Sequence, residues 1–218
     1  MGGAPMRTAP EEFSFHRGDL FFPEMMTLAL SVIGYSSLID RLNPDAIATG
    51  MSLGGIVLGG TVQGSILKDV RHMVADVKGG RQIGSIVFEP NPFDATRDPA
   101  LVEDNLSRYV SDVAAICVVS AYSSVLGKLI SECGKPRLGW HPLFQYLRHI
   151  RNAAAHGNRF EIWNLGKKPG IDPNQPPNWR TSIMGSVEEM NRKPLFPQFL
   201  RLGDVPVLLN DVSNKLKT

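Results

Sequence analysis

Between residues 100 and 133, apolar side chains return at helical spacing over a longer span than anywhere else in the chain. The series is Leu101, Leu106, Val110, Val113, Cys117, Val125 and Leu129. A run of this length predicts one long helix, and its apolar stripe must be covered by other elements. Gly134 and Pro136 end the run, and His141-Pro142 opens another, because proline suits a first helical turn. In that second helix Leu143, Leu147, Ile150 and Ala154 stand at i, i+4, i+7 and i+11, with Phe144 beside them. So short a connection favours an antiparallel helix pair. A third helix is expected from Pro23 to Leu42, with Met26, Leu28, Leu30, Ile33, Leu38 and Ile39 on a broad apolar face. The fold class that follows is mainly α: a helical bundle.

The chain of 218 residues suits one domain, and a hydrophobic content of 43% is enough for a sizeable core. A net charge of +2 is too mild to mark a general nucleic-acid binder, so any RNA contact has to be local. Cys117 and Cys133 lie more than four turns apart on the long helix, roughly 24 Å, too far to bond within it. Their spacing matches no metal site. These features point to a reduced, cytoplasmic protein. The first ten residues hold no apolar stretch behind a basic start, so no signal peptide is expected, and Met6 stands where a myristoylation signal wants Ser or Thr.

Residues 1–19 are polar and proline-containing, and read as a flexible N-terminal arm. Residues 20–157 then form the helical domain. Residues 158–218 form a C-terminal extension packed on it: a loop, short β-strands and a final helix. Residues 46–67 carry no charge and several glycines. That length would span a bilayer, but as a soluble element it reads as a buried glycine-rich helix or loop, and this reading disfavours membrane contact. Lys68–Val77 predicts an amphipathic helix ended by Gly79-Gly80. Residues 82–88 predict a strand or extended loop. In the extension, Phe160–Trp163 predicts a short strand paired with a second one in 179–187, and Asp204 predicts the N-cap of a helix reaching about Lys215.

The chemistry gathers at 148–159. On a helix His149, Asn152 and His156 share one stripe away from the core face, flanked by Arg148 and Arg151. Arg151 and His156 diverge by about 140° on an ideal helix, so they meet on one phosphate only if the last turn distorts or a second copy of the helix arrives. A histidine can take a proton from a ribose 2′-OH, and another can return one to the leaving 5′-oxygen. An arginine can hold the phosphate in two places at once and offset developing charge. Asn152 can orient His156 or bind the phosphate. That reaction needs no metal and no cofactor, and no carboxylate cluster lies here to hold an ion. The plainer reading is structural: cations complement a helix C-terminus, and Gly157 is an ordinary residue beyond it.

Arg151-Asn152-Ala-Ala-Ala-His156 resembles the signature of the HEPN superfamily, an Arg followed after four to six residues by a His. Asn152 is a favoured residue after the Arg, and Gly157-Asn158 also look like many members. The resemblance covers roughly residues 100–160. It implies an all-α, HEPN-like bundle that dimerises so that two motifs face each other. It implies Arg151 and His156 as the catalytic pair with Asn152 as an accessory. Many members are metal-independent endoribonucleases, found as toxins of toxin–antitoxin pairs and in anti-phage defence, with an antitoxin or other regulatory partner. Others have lost catalysis and bind nucleotides, RNA or proteins. Arg148, His149 and Arg159 are the further candidate RNA contacts. Of these, His149 reads more readily as a surface residue than as a second acid–base group, and Arg159, with Lys167 and Lys168, as solvated loop charge. Trp140, Trp163 and Trp179 can stack on bases, though a small core under the C-terminal loop is the plainer expectation. Tyr146 reads as packing or a dimer contact.

Overall fold

The computed structural model describes residues 12–42, 55–58, 64–91, 105–134, 139–162 and 176–218. Its order is β1 Phe13–His16, α1 Phe22–Leu42, β2 Gly55–Leu58, β3 Gly64–Lys68, α2 Val70–Lys78, β4 Ser85–Asn91 and α3 Asn105–Cys133. Then follow α4 Pro142–Ala155, β5 Asn178–Trp179, β6 Ser182–Ile183, α5 Val187–Met190, a π-type turn over Leu195–Phe199, and α6 Asp204–Lys215. Helix dominates the described backbone, as the periodicity predicts.

The long helix α3 lies at the centre because its apolar stripe is wide enough for two partners. Val110, Ala114, Cys117, Val118, Ala121, Tyr122, Val125 and Leu129 are all buried, and α1 and α4 pack against this helix. From α1 come Met25, Leu28, Ala29, Val32 and Ile33, at i, i+3, i+4, i+7 and i+8. Leu30 falls off that stripe and is exposed, contrary to the sequence expectation. From α4 come Leu143, Leu147, Ile150 and Ala153, while Ala154 packs at the margin. Pro142 occupies the first turn, and the His141 ring nitrogen Nδ1 accepts from the Leu143 N–H, which satisfies one of the free donors of the helix start. The Trp140 indole donates to the Gly134 carbonyl at 2.9 Å and ties the connection to the end of α3. Further along, the Arg151 guanidinium lies over the Tyr122 ring. The two contacts together make α3 and α4 antiparallel.

The sheet is larger than the sequence suggests. Four antiparallel strands run in the order β1-β4-β3-β2. Residues 13–16 therefore belong to an edge strand and not to a flexible arm: Phe13 pairs with Phe88 and Phe15 with Ile86. Phe15, Phe88, Ile86 and Leu67 fill the inner face. The described parts of the glycine-rich segment are β2 and β3, neither helix nor loop, and residues 46–54 and 59–63 lie outside the described residues. Only α3, over Tyr109–Cys133, is long and apolar enough to cross a membrane among the described residues, and half of that stretch is buried inside the protein.

The C-terminal extension corrects two further expectations. β5 pairs with β6 as a minimal hairpin and not with 160–163. Residues 160–162 form no strand: one isolated bridge joins Arg159 to Pro194, Phe160 exchanges backbone hydrogen bonds with Arg192 and Lys193, and Trp163 lies outside the described residues. Asp204 is the first residue of α6 and not its cap: its carboxylate accepts from the Arg201 N–H at 2.8 Å, upstream of the helix, and Gly203 occupies the cap position. The extension packs on the helices through Tyr146, whose ring sits beside Trp179 and Phe199 and whose hydroxyl bonds Ser182 Oγ at 3.0 Å. Burial pushes that phenol well above the ordinary tyrosine range.

Candidate functional site

Helix α4 ends at Ala155 because the next residues leave helical space. Gly157 and Asn158 both take positive φ, 72° and 65°. Glycine and asparagine are the residues that tolerate this conformation. The turn is then fastened to the C-terminal segment. Asn158 Oδ1 accepts from the Phe196 N–H at 2.9 Å, and its amide nitrogen donates to the Phe196 carbonyl at 2.8 Å. The Phe160 N–H donates to the Lys193 carbonyl at 3.0 Å, and the Arg192 N–H donates back to the Phe160 carbonyl at 2.7 Å. The motif therefore stands on a helix end whose exit path is tied to residues 192–196.

The two principal residues point apart, as helix geometry requires. Arg151 turns toward α3, with its guanidinium carbon 5.8 Å from the centre of the Tyr122 ring, a cation–π arrangement. Its Nη1 donates to Asn152 Oδ1 at 3.2 Å, and its Nε is buried with no hydrogen-bond partner among the described residues. Asn152 thus touches the arginine and not the His156 ring. His156 projects from the end of the helix with half its side chain exposed, and its Nδ1 lies 3.2 Å from Glu161 Oε2. No hydrogen bond joins Arg151 to His156.

Beside His156 a cleft of about 260 Å³ opens along the other flank of α4, lined by Arg148, His149, Asn152, Ala153, Phe160, Glu161 and Ile162. His149 is a correction to its expected surface position: it is 5% exposed. The reason is the return of residues 160–162 over this flank. Arg148 Nη2 lies 2.9 Å from His149 Nε2. Arginine can only donate, so that ring nitrogen accepts and carries no proton. Arg159 is exposed, and its N–H donates to the Ala153 carbonyl at 3.0 Å, so it serves the turn through its backbone. Trp140 and Trp179 are buried and offer no open face for stacking; Trp163, Lys167 and Lys168 lie outside the described residues.

On the opposite flank, a groove of about 370 Å³ separates α3 from the end of α4, lined by Asp112, Ala115, Ile116, Val119, Ala154, Ala155, Gly157 and Asn158. Ile116 is 65% exposed and Tyr109 55%, both on α3. They stand seven residues apart, which places both on one side of the helix.

Three residues of the site escaped the sequence reading: Tyr122, Asn158 as a clamp, and Glu161. The alternation Phe160, Glu161, Ile162 was a usable signal, because an extended segment with two buried apolar residues must send the middle one the other way. Among the described residues, no three His, Cys, Asp or Glu side chains gather as a metal site. No family model matches the chain, and comparison with curated proteins and with solved structures gives no match.

Proposed function

We propose that this chain is a metal-independent, HEPN-type endoribonuclease that acts as a dimer in the cytoplasm, as a toxin or anti-phage defence effector under the control of an antitoxin or similar partner. The observation that carries the reading is the arrangement of Arg151, Asn152 and His156. All three stand on the held, open end of a helix backed by a long central helix, with an orphaned arginine Nε and a half-exposed imidazole. Divergence of Arg151 and His156 leaves one chain incomplete. A second copy seated on the α3 face that exposes Tyr109 and Ile116 would bring its own Arg151 and His156 to the first and close the site.

In each of the two sites of such a dimer, His156 of one copy takes the proton from a ribose 2′-OH beside Arg151 of the other. The 2′-oxygen bonds to phosphorus, the bond from phosphorus to the 5′-oxygen breaks, water protonates the leaving oxygen, and His156 returns its proton to solvent. Arg151, steered by Asn152 and Tyr122, offsets charge on the phosphoryl oxygens. The products are a 2′,3′-cyclic phosphate and a 5′-hydroxyl, and DNA is spared for want of the nucleophile. Arg148 at the cleft mouth and Arg159 on the turn supply local positive charge for RNA.

The engagement of Arg151 by Tyr122 and Asn152 within its own chain favours a second reading: a non-catalytic HEPN-like module that binds nucleotides, RNA or a protein. Incubation of purified protein with total RNA in EDTA, with mapping of fragment ends, separates the two. Cyclic-phosphate ends support the nuclease. RNA left whole by a protein that retains it on a filter supports the module, and a strict requirement for Mg²⁺ overturns the mechanism.

A further inference from the structure

We infer that Glu161 is a positioning residue for His156: it holds the imidazole as the tautomer with the proton on Nδ1, which leaves Nε2 as the outward-facing base. The inference rests on the nuclease reading for its catalytic consequence, but the geometry stands by itself.

Glu161 Oε2 lies 3.2 Å from His156 Nδ1. A carboxylate at that distance accepts the Nδ1–H, and the other nitrogen is then the one with a free lone pair. An imidazole without such a partner favours the proton on Nε2, the wrong arrangement for a base that must reach outward. The same logic orients a triad histidine.

Glu161 is delivered to this place by the backbone. Phe160 and Ile162 are 1% and 6% exposed, so both sink into the core and Glu161 is turned to the open side. The Asn158 clamp and the two hydrogen bonds at Phe160 keep the segment from shifting along the helix end. Exposed ion pairs contribute little to stability, and both partners here are about half exposed. What the contact supplies is ring orientation. Glu161 also lines the cleft with Asn152 and Arg148, so one carboxylate borders both the histidine and the space where RNA would lie.

The test reads the tautomer first. Long-range ¹H–¹⁵N correlation of His156, at a pH where the ring is neutral, is compared for wild type, Glu161→Ala and Glu161→Gln. The expected result is the Nδ1–H form in wild type, its loss in Glu161→Ala, and its retention in Glu161→Gln, whose amide oxygen still accepts. Steady-state cleavage of an RNA substrate is then measured. Glu161→Ala should lower kcat about 10- to 100-fold with KM within about twofold, the order of loss when the hydrogen-bond partner that orients a metal-bound histidine is removed. Wild type in the Nε2–H form, or a tautomer unchanged in Glu161→Ala, overturns the inference. The spectra need no RNA, so an Nδ1–H ring in a protein that cleaves nothing would leave the orientation standing and remove the nuclease reading.

Discussion

Replacement of Asn158 by alanine should destabilise the protein more than any other single change on this exposed turn. Two hydrogen bonds to the Phe196 backbone, of 2.8 and 2.9 Å, disappear with the side chain. Phe196 is 2% exposed, so its N–H and carbonyl lose partners in a site that water replaces poorly. At about 1 to 1.5 kcal/mol for each bond, the loss is about 2 to 3 kcal/mol. Asn158 also sits at φ 65°, where alanine costs about 1 kcal/mol more. Asn158→Ala should therefore lose about 3 to 4 kcal/mol. Asn158→Gly loses the same bonds without the backbone penalty and should fall about 1 kcal/mol less far. Urea unfolding followed by tryptophan fluorescence measures both. The order is the informative part: glycine above alanine, both well below wild type. An alanine variant within about 0.5 kcal/mol of wild type would refute the clamp, and a glycine variant less stable than alanine would refute the assigned backbone conformation.

Other expectations concern the core and the thiols. Leu147, wholly buried between α4 and its neighbours, should cost about 2 to 5 kcal/mol as alanine, read as a lowered urea midpoint with unchanged slope. The Trp179 indole donates to Asp211 Oδ2 at 2.8 Å, so Trp179→Phe should cost about 1.5 to 3 kcal/mol in the same assay. Cys133 is exposed and Cys117 buried, so a thiol reagent should label Cys133 alone in the native protein and both residues in denaturant. Burial, helped by the Glu24 carboxylate, pushes the Cys117 thiol from 9.0 up to about 12. The folded state keeps this proton where the unfolded chain sheds it, so this contribution to stability is complete below pH 9 and lost as pH rises toward about 12. A stability that climbs across that window in wild type but not in Cys117→Ala would contradict the assignment.

The helices were legible in the sequence where burial alone decides them. Val110 through Leu129 and Leu143 through Ile150 repeat at helical spacing because one face of each helix meets the core. Of the sheet only β4 was legible, in residues 82–88, and Ser65 shows why β3 was not. It is a polar residue on the buried face of β3, tolerated because its hydroxyl donates to the Gly203 carbonyl at 3.1 Å, a contact far away in sequence. That exchange erases the apolar–polar alternation by which a strand is recognised. In β1 the alternation was present in Phe13, Ser14, Phe15 and His16, but four residues near a polar terminus carried too little signal. The motif Arg151-Asn152-Ala-Ala-Ala-His156 was visible as a pattern, and its divergence followed from helix geometry. The partners of its members were not visible. Tyr122 reaches Arg151 across a helix pair, Asn152 turns to Arg151, and His149 is buried by a segment whose return is set by Asn158 and Phe196.

The central claim is a composite site that neither Arg151 nor His156 completes within its own chain. It is tested most directly by mixing purified Arg151→Ala and His156→Ala proteins, with subunit exchange, on RNA in EDTA. Each variant alone should leave RNA intact. In a symmetric dimer, random exchange makes half of the dimers mixed, each with one of its two sites whole, so the mixture should recover about a quarter of wild-type cleavage. No recovery from a mixture shown to exchange, or wild-type cleavage by either variant alone, would contradict the account.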